Sequence, residues 1–158
     1  SNKFNSEMDE LKKHVLEMGG LVEKQVQSAI NSLIDADSEL AEKVRNKDKK
    51  VNKMEVSIDE ECAKILALRH PAASDLRLVI AVSKVSSDLE RIGDEAAKVA
   101  LQALELSESG HSEQGYIEVR HIGEQVRSMV REALDAFARF DADAALQVAK
   151  KDKENDRE

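Results

Sequence analysis

Glu90 and Asp94 stand four residues apart at the end of the stretch SDLRLVIAVSKVSSDLERIGD, which runs from Ser74 to Asp94. On a helix of about 3.6 residues per turn, that spacing stacks both carboxylates on one face. A like-charge pair at this spacing costs a helix a few tenths of a kcal/mol unless a counter-charge neutralises it. Asp88 adds a third acid beside them, and Arg91 is the one cation inside the cluster. The chemistry open to such a group is cation binding through hard oxygen donors, which suits magnesium, calcium, manganese or iron and also admits zinc.

A second acidic row lies upstream, where Asp48, Asn52, Glu55 and Asp59 follow one another at steps of 4, 3 and 4. Two readings stand side by side. The row is a solvated polar edge softened by Lys47, Lys49, Lys50 and Lys53, or it is a ladder of oxygen ligands facing a cation.

Other chemistry-bearing residues are sparse. Glu118 and His121 form one Glu-x-x-His, whereas a ferritin-like di-metal bundle uses two, together with a Glu from each of two further helices. His14, His70 and His111 have no ligand spacing and are expected at the surface or at helix ends. Cys62 falls on an apolar stripe and reads as a buried structural thiol. There is no Gly-rich phosphate loop, nucleophile elbow or Cys-x-x-Cys.

The elements that must position these residues are long helices. Leu11, Val15, Met18, Val22, Val26, Ala29 and Leu33 recur at three- and four-residue steps, which predicts a helix from about Ser6 to Ile34. Gly19-Gly20 in its middle implies close packing or a bend. Asp35-Ala36-Asp37 reads as a turn, with Asp37 capping a second helix over Ser38 to Leu68. Its core stripe is Leu40, Val44, Val51, Ile58, Cys62 and Ile65. Pro71 suits the first position of a third helix, expected from about Ala72 to Leu106.

That third helix carries two apolar stripes. One is Leu78, Val82, Val85, Leu89, Ile92, Ala96, Val99 and Ala103. Opposite it run Leu76, Ile80, Ser83, Ser87, Glu90, Asp94, Ala97, Leu101 and Leu104. A helix apolar on two faces is expected between neighbours, so Glu90 and Asp94 are expected at core-type positions, where carboxylates are costly unless paired or metal-bound. Ser107 to Gln114 reads as a polar loop. A fourth helix is expected from about Tyr116 to Phe140, with Val119, Ile122, Val126, Val130, Ala133, Phe137 and Phe140 inward, followed by the start of a fifth.

Composition agrees with a helical bundle. The 158 residues are 35% charged and 3% aromatic, with one Pro and six Gly. A formal net charge of −8 argues against a nucleic-acid surface, which needs concentrated positive charge. No apolar run reaches the roughly 18 to 20 residues that span a bilayer. A single Cys allows no internal disulfide, so a cytoplasmic location is expected.

The chain also repeats itself. Shifted by 104 positions, residues 15–49 match 119–153 at 11 of 35 positions, including Val15, Gly19, Val22, Val26, Ala29, Asp37 and Asp48. Matching glycine and turn residues goes beyond a shared helical period. The unit is therefore three helices, with residues 1–108 forming one unit and 109–158 part of a second. A second copy of the third helix would fall beyond Glu158, so the chain is expected to be part of a longer protein. Asp152 and Asp156 take the places of Asp48 and Asn52.

With these segments together, the sequence resembles the PhoU family of phosphate-signalling regulators. The resemblance is carried by MGGLVEKQV (Met18 to Val26), DKKVN (Asp48 to Asn52), SDLR (Ser74 to Arg77) and DLERIGDEA (Asp88 to Ala96). It implies an all-α fold of tandem three-helix bundles with long antiparallel helices, the first complete and the second partial. It also implies metal clusters, iron or zinc foremost, held by E(D)xxxD motifs. Glu90 and Asp94 fit one such motif. Asp48 and Asn52 fit another imperfectly, because Asn52 is a neutral donor, and Asp152 and Asp156 would belong to a second site.

The implied role is an accessory protein rather than an enzyme. It would be a negative regulator that links the ATPase subunit of a phosphate ABC transporter to a sensor histidine kinase, without entering the membrane. Asp75 and Arg77 lie in a family-typical segment that would contact those partners; the alternative is a salt bridge at a helix start. A homodimer bridged by surface cations is a further expectation. Two rival readings are a ferritin-like di-metal carboxylate oxidase and a metal-free structural helical adaptor.

Overall fold

The computed structural model describes residues 2–109 and 117–135, together with Phe137 and Arg139. Three long helices make up the first of these segments: α1 (Asn2–Ile34), α2 (Ser38–Arg69) and α3 (Ala73–Ser109). Residues 117–135 form a further helix, α4. Within the first segment, α1, α2 and α3 all pack against one another, an up-down-up bundle.

Local signals set the ends of these helices. Helix α1 starts earlier than the apolar stripe from Leu11 predicts, because Phe4 and Met8 extend the same buried face by two turns. Asp37 caps α2 as expected, with Oδ1 accepting from Leu40 N at 3.0 Å. The turn before it places Ala36 at φ 51°. At the other end His70 takes the left-handed conformation at φ 43° and terminates α2.

Two boundaries differ from expectation. Pro71 does not open α3: it lies outside the helix, and Ala72 O accepts from both Asp75 N and Leu76 N. Having no N–H, Pro71 cannot continue α2 past the left-handed His70. The expected loop at Ser107 is helical through Ser109, and the remainder of that loop, with His111, lies outside the described residues.

The core follows the predicted stripes. Leu11, Val15, Met18, Val22, Val26, Ala29 and Leu33 of α1 are buried, as are Val44, Val51, Ile58, Cys62 and Ile65 of α2. On α3 the buried apolar set is Val79, Val82, Leu89, Ile92, Ala96, Val99, Ala100 and Ala103, so Val79 and Ala100 join the expected stripe, while Leu78 and Val85, like Leu40 of α2, are only half-buried. Among the described residues Gln25, Ser32 and Ser86 are the buried polar residues, and each finds a partner, Ser86 Oγ at 3.6 Å from Met18 Sδ. Gln25 Nε2 donates to Val44 O at 3.0 Å and Ser32 Oγ to Ala29 O at 2.7 Å. Polar ties bind α1 to α2 at the rim, with Arg69 Nε donating to Glu7 Oε1 at 2.7 Å and His14 Nδ1 2.6 Å from Glu61 Oε1.

The second apolar stripe of α3 is not packed between neighbours. Ile80 is 55% exposed, and Leu76 and Leu101 are exposed as well. Three helices leave each member with one outward face, and this stripe falls on that face of α3, along the groove it forms with α2. Burial of Glu90 and Asp94 at core positions is thereby corrected: Glu90 is half-buried and Asp94 exposed.

Helix α4 lies across α1. Val126, Val130 and Phe137 are buried in the common core. Ile122, expected inward, is 46% exposed: it lies at the flank of the buried stripe, about 60° around the helix from Val119 and about 40° from Val126. Phe140 lies outside the described residues. Glycines permit the approach: a Cβ at Gly19 would stand 2.6 Å from Leu134 Cδ2, and one at Gly123 would stand 2.9 Å from Ile30 Cγ1. Gly19 and Gly123 are partners under the 104-residue shift, and so are Ile30 and Leu134. The two contacts are thus one contact made twice, related by a local pseudo-two-fold.

Candidate metal-binding groove

Antiparallel pairing of α2 and α3 sets the groove. Cys62 Sγ lies 4.0 Å from Val79 O, Ser83 Oγ donates to Asp59 Oδ1 at 3.3 Å, and a Cβ on Gly93 would stand 3.8 Å from Asp48 Oδ1. Between these rungs the two acidic rows come together. Asp48, Glu55 and Asp59 line the α2 side, and Glu90 and Asp94 line the α3 side.

The carboxylates repel one another, and part of their solvation is lost. Burial first, and then the Asp94 charge, push the Asp48 carboxyl above its ordinary value of 3.8. Glu90 is raised by burial, then by Asp94 and Asp48, with Arg91 opposing. Glu55 is raised by burial, then by Glu90 and Asp59. Asp48 Oδ1 is fully buried and has no hydrogen-bond partner. Such an orphan acceptor costs free energy that a bound cation or donor would recover.

Counter-charge sits at the edges. Arg91 Nη2 donates to Asp88 Oδ1 at 2.8 Å and so turns away from Glu90. Lys98 Nζ lies 3.6 Å from Asp94 Oδ2 and donates to Glu95 Oε1 at 3.2 Å. At this end the groove opens into a cleft of about 380 Å³ lined by Arg45, Asp48, Lys49, Asp94, Lys98 and Leu101, among others.

Among the described residues, no three His, Cys, Asp or Glu side chains converge as a preformed metal site. The acids share an electrostatic field along the groove without a common coordination point. The donor type is the one a hard cation takes, but the donors are not brought to one point. All donors are oxygens, one is orphaned and buried, and net repulsion favours a positive ion among them.

The site residues expected from sequence divide clearly. Asp48, Glu90 and Asp94 are brought together. Asn52 is exposed, and Glu55 stands in its stead. At about 100° per residue, Glu55 lies about 20° from Asp48 toward the core stripe, whereas Asn52 lies about 40° away on the solvent side. That phase was readable, but the four-residue motif spacing drew attention to Asn52. Asp152 and Asp156 lie outside the described residues. Asp75 and Arg77 are both exposed in the opening turns of α3, and among the described residues they form no salt bridge. Residues two apart on a helix do not face each other. Glu118 and His121 are exposed on α4, where His121 Nε2 lies 3.3 Å from Gln125 Nε2. Gly93, buried between the acids, is a groove residue that sequence reasoning missed; its place between Glu90 and Asp94 was the available signal.

Fold and groove together define an all-α protein built on a three-helix unit with a carboxylate-lined seam. The chain belongs to the PhoU family: the PhoU domain matches residues 15–103 and 119–158, two segments whose starts differ by the 104 positions of the internal repeat. It is 63% identical over its whole length to a Pseudomonas putida protein named phosphate-specific transport system accessory protein PhoU homolog, and 44% identical to the corresponding Escherichia coli protein. It spans 62% and 65% of those two relatives. The crystal structure of PhoU from Pseudomonas aeruginosa superposes with a TM-score of 0.81 at 64% identity, over 98% of this chain and 74% of that one. The PhoU structure from Streptococcus pneumoniae gives 0.74 at 36% identity, over 98% and 72% of the two chains.

Proposed function

We propose that this chain is the core of a cytoplasmic accessory regulator of phosphate-specific transport, a non-enzymatic adaptor whose α2–α3 groove binds metal. Its family and the names of its relatives support the phosphate-transport role. Among the described residues, no helix is long and apolar enough to cross a membrane. In this reading the protein restrains the phosphate-starvation response when phosphate is plentiful. It does so by linking the transporter's ATPase subunit to a sensor histidine kinase, with Asp75 and Arg77 at the partner surface.

One observation supports the metal reading: the buried Asp48 Oδ1 has no hydrogen-bond partner, and burial and then the Asp94 charge raise the Asp48 carboxyl. Asp48 and Glu90 would hold the ion first, with the exposed Asp94 turning in from Lys98. The ion, zinc or iron foremost, would relieve the repulsion and so stiffen the α2–α3 seam. Metal content of protein purified without chelator tests this against a Glu90→Ala, Asp94→Ala double variant. Equal, negligible metal in both would defeat it. The adaptor role is tested by co-purification of the full-length protein with the ATPase subunit and the kinase's cytoplasmic region, and capture of neither would count against it.

A further inference from the structure

We propose that the α2–α3 face is the docking groove for a basic amphipathic helix of a partner protein. This assignment rests on the adaptor reading above, gives the chemistry of the segment such an adaptor would hold, and needs no metal. The outward stripe of α3 runs from Leu76 to Leu101 at alternating steps of 4 and 3. That is a heptad period, which keeps one seam turned toward a facing helix over its whole length. The groove-side edge of α2 keeps the same period from Asp48 to Asp59. Leu76 and Ile80 are exposed at one end of the seam and Leu101 at the other, and Val56 is exposed one turn before Asp59. Apolar side chains exposed in line along one groove mark an interaction surface, where scattered ones would not.

The middle of the seam is acidic. Asp59 stands beside Ser83 and Asp48 beside Gly93, about 16 Å apart along α2. A row of that length with no common point suits cations delivered about one per turn by a facing helix. Burial first, and then repulsion between the acids, raise Asp48, Glu55 and Glu90. Arg91 is turned away to Asp88, and the buried Asp48 Oδ1 has no hydrogen-bond partner. An entering Lys or Arg would supply both the charge and the donor. The same charges set other occupants aside. Two copies meeting face to face through this groove would put acids against acids, because an isologous contact repeats one patch. An anionic bilayer would be repelled likewise. At the Leu101 end Arg45, Lys49 and Lys98 line the cleft, so the partner's cations belong at the centre of its helix.

The test titrates the full chain, with chelator present, with two synthetic helical peptides of four heptads each. Both carry Leu at the a and d positions of the end heptads. In the middle heptads one peptide carries Lys at a and d, and the other carries Glu. Wild type is expected to bind the Lys peptide about 10-fold or more tighter than the Glu peptide. The Glu90→Lys, Asp94→Lys double variant is expected to reverse that preference, which a misfolded protein could not do. Ile80→Ser and Leu101→Ser, both at exposed positions, are each expected to weaken the Lys peptide about 10-fold. Leu16→Ser, on the exposed face of α1, is the control and should change neither affinity. Binding of neither peptide, equal binding of both, or an unchanged preference in the double variant would overturn the assignment. Wild-type affinity in both serine variants would overturn it too, and these two decide if the double variant loses both peptides. Co-purification tests the adaptor reading separately, so either can fail without the other.

Discussion

Gly19 of α1 and Leu134 of α4 meet so closely that a methyl on the glycine would stand 2.6 Å from Leu134 Cδ2. Their counterparts under the internal repeat, Gly123 and Ile30, make the same contact in reverse at 2.9 Å. The first helix of the complete unit and its copy are joined by a reciprocal glycine–aliphatic clasp. A repeat visible only as matching letters has here a mechanical consequence.

The clasp makes the four glycines of the described helices unequal. Gly20→Ala is expected to stabilise the protein by about 1 kcal/mol, the helix-propensity gain with no steric penalty. Gly123→Ala meets Ile30 Cγ1 near its branch point, so overpacking of about 1–3 kcal/mol outweighs that gain and the protein is expected to lose stability. Gly19→Ala is expected to be nearly neutral, because Leu134 Cδ2 is the end of a rotatable side chain. Urea midpoints of the three variants check the order, and a destabilised Gly20→Ala would contradict it.

The acidic groove sets a pH dependence of known sign. Asp48, Glu55 and Glu90 bind their protons more tightly in the native state than their ordinary values of 3.8, 4.5 and 4.5 allow in the unfolded chain. Their favourable contribution is complete below those values. It is lost as pH rises through the raised native values, where the folded state sheds protons the unfolded chain has already released. Metal-free protein is therefore expected to lose stability over this interval. Glu90→Gln is expected to flatten the decline and to gain a few tenths of a kcal/mol at pH 7 from relief of the Glu90–Asp94 repulsion. A pH series of urea melts with chelator present reads both effects, and parallel curves would rule this out.

Asp37 holds the start of α2 through Leu40 N at 3.0 Å. Asp37→Ala is expected to cost about 1 kcal/mol, while Asp37→Ser, which keeps an acceptor, is expected to cost much less. Thermal melts of the two variants separate capping from simple loss of charge: equal losses would favour the charge.

Cys62 is buried, and desolvation, with Asp59 and Glu61 adding, pushes its thiol up to about 11. Reactivity depends on thiolate and on access, and both are low here. A thiol reagent at pH 7 is expected to label Cys62 only after unfolding, with the rate following the denaturation curve. Rapid labelling of the native protein would show that this part of the α2–α3 seam opens.

Much of this protein was legible in its letters. The stripe from Leu11 to Leu33, the Asp37 cap and the break at His70-Pro71 follow from periodicity and backbone chemistry, which act within a few residues and need no neighbour. The 104-residue repeat and the PhoU segments are equally local. Tertiary structure decided which face of each helix had a neighbour. The second stripe of α3 looks buried as a pattern, yet a three-helix unit turns Ile80 and Asp94 outward. Asn52 matches the motif spacing, but the phase of α2 against α3 puts Glu55 beside Glu90. In the sequence Gly93 offers only its place between Glu90 and Asp94; the approach of Val51 and Asp48 from another helix shows what its missing side chain permits. Sequence determines the period of each helix, and the distance between helices is set by what packs in the gap.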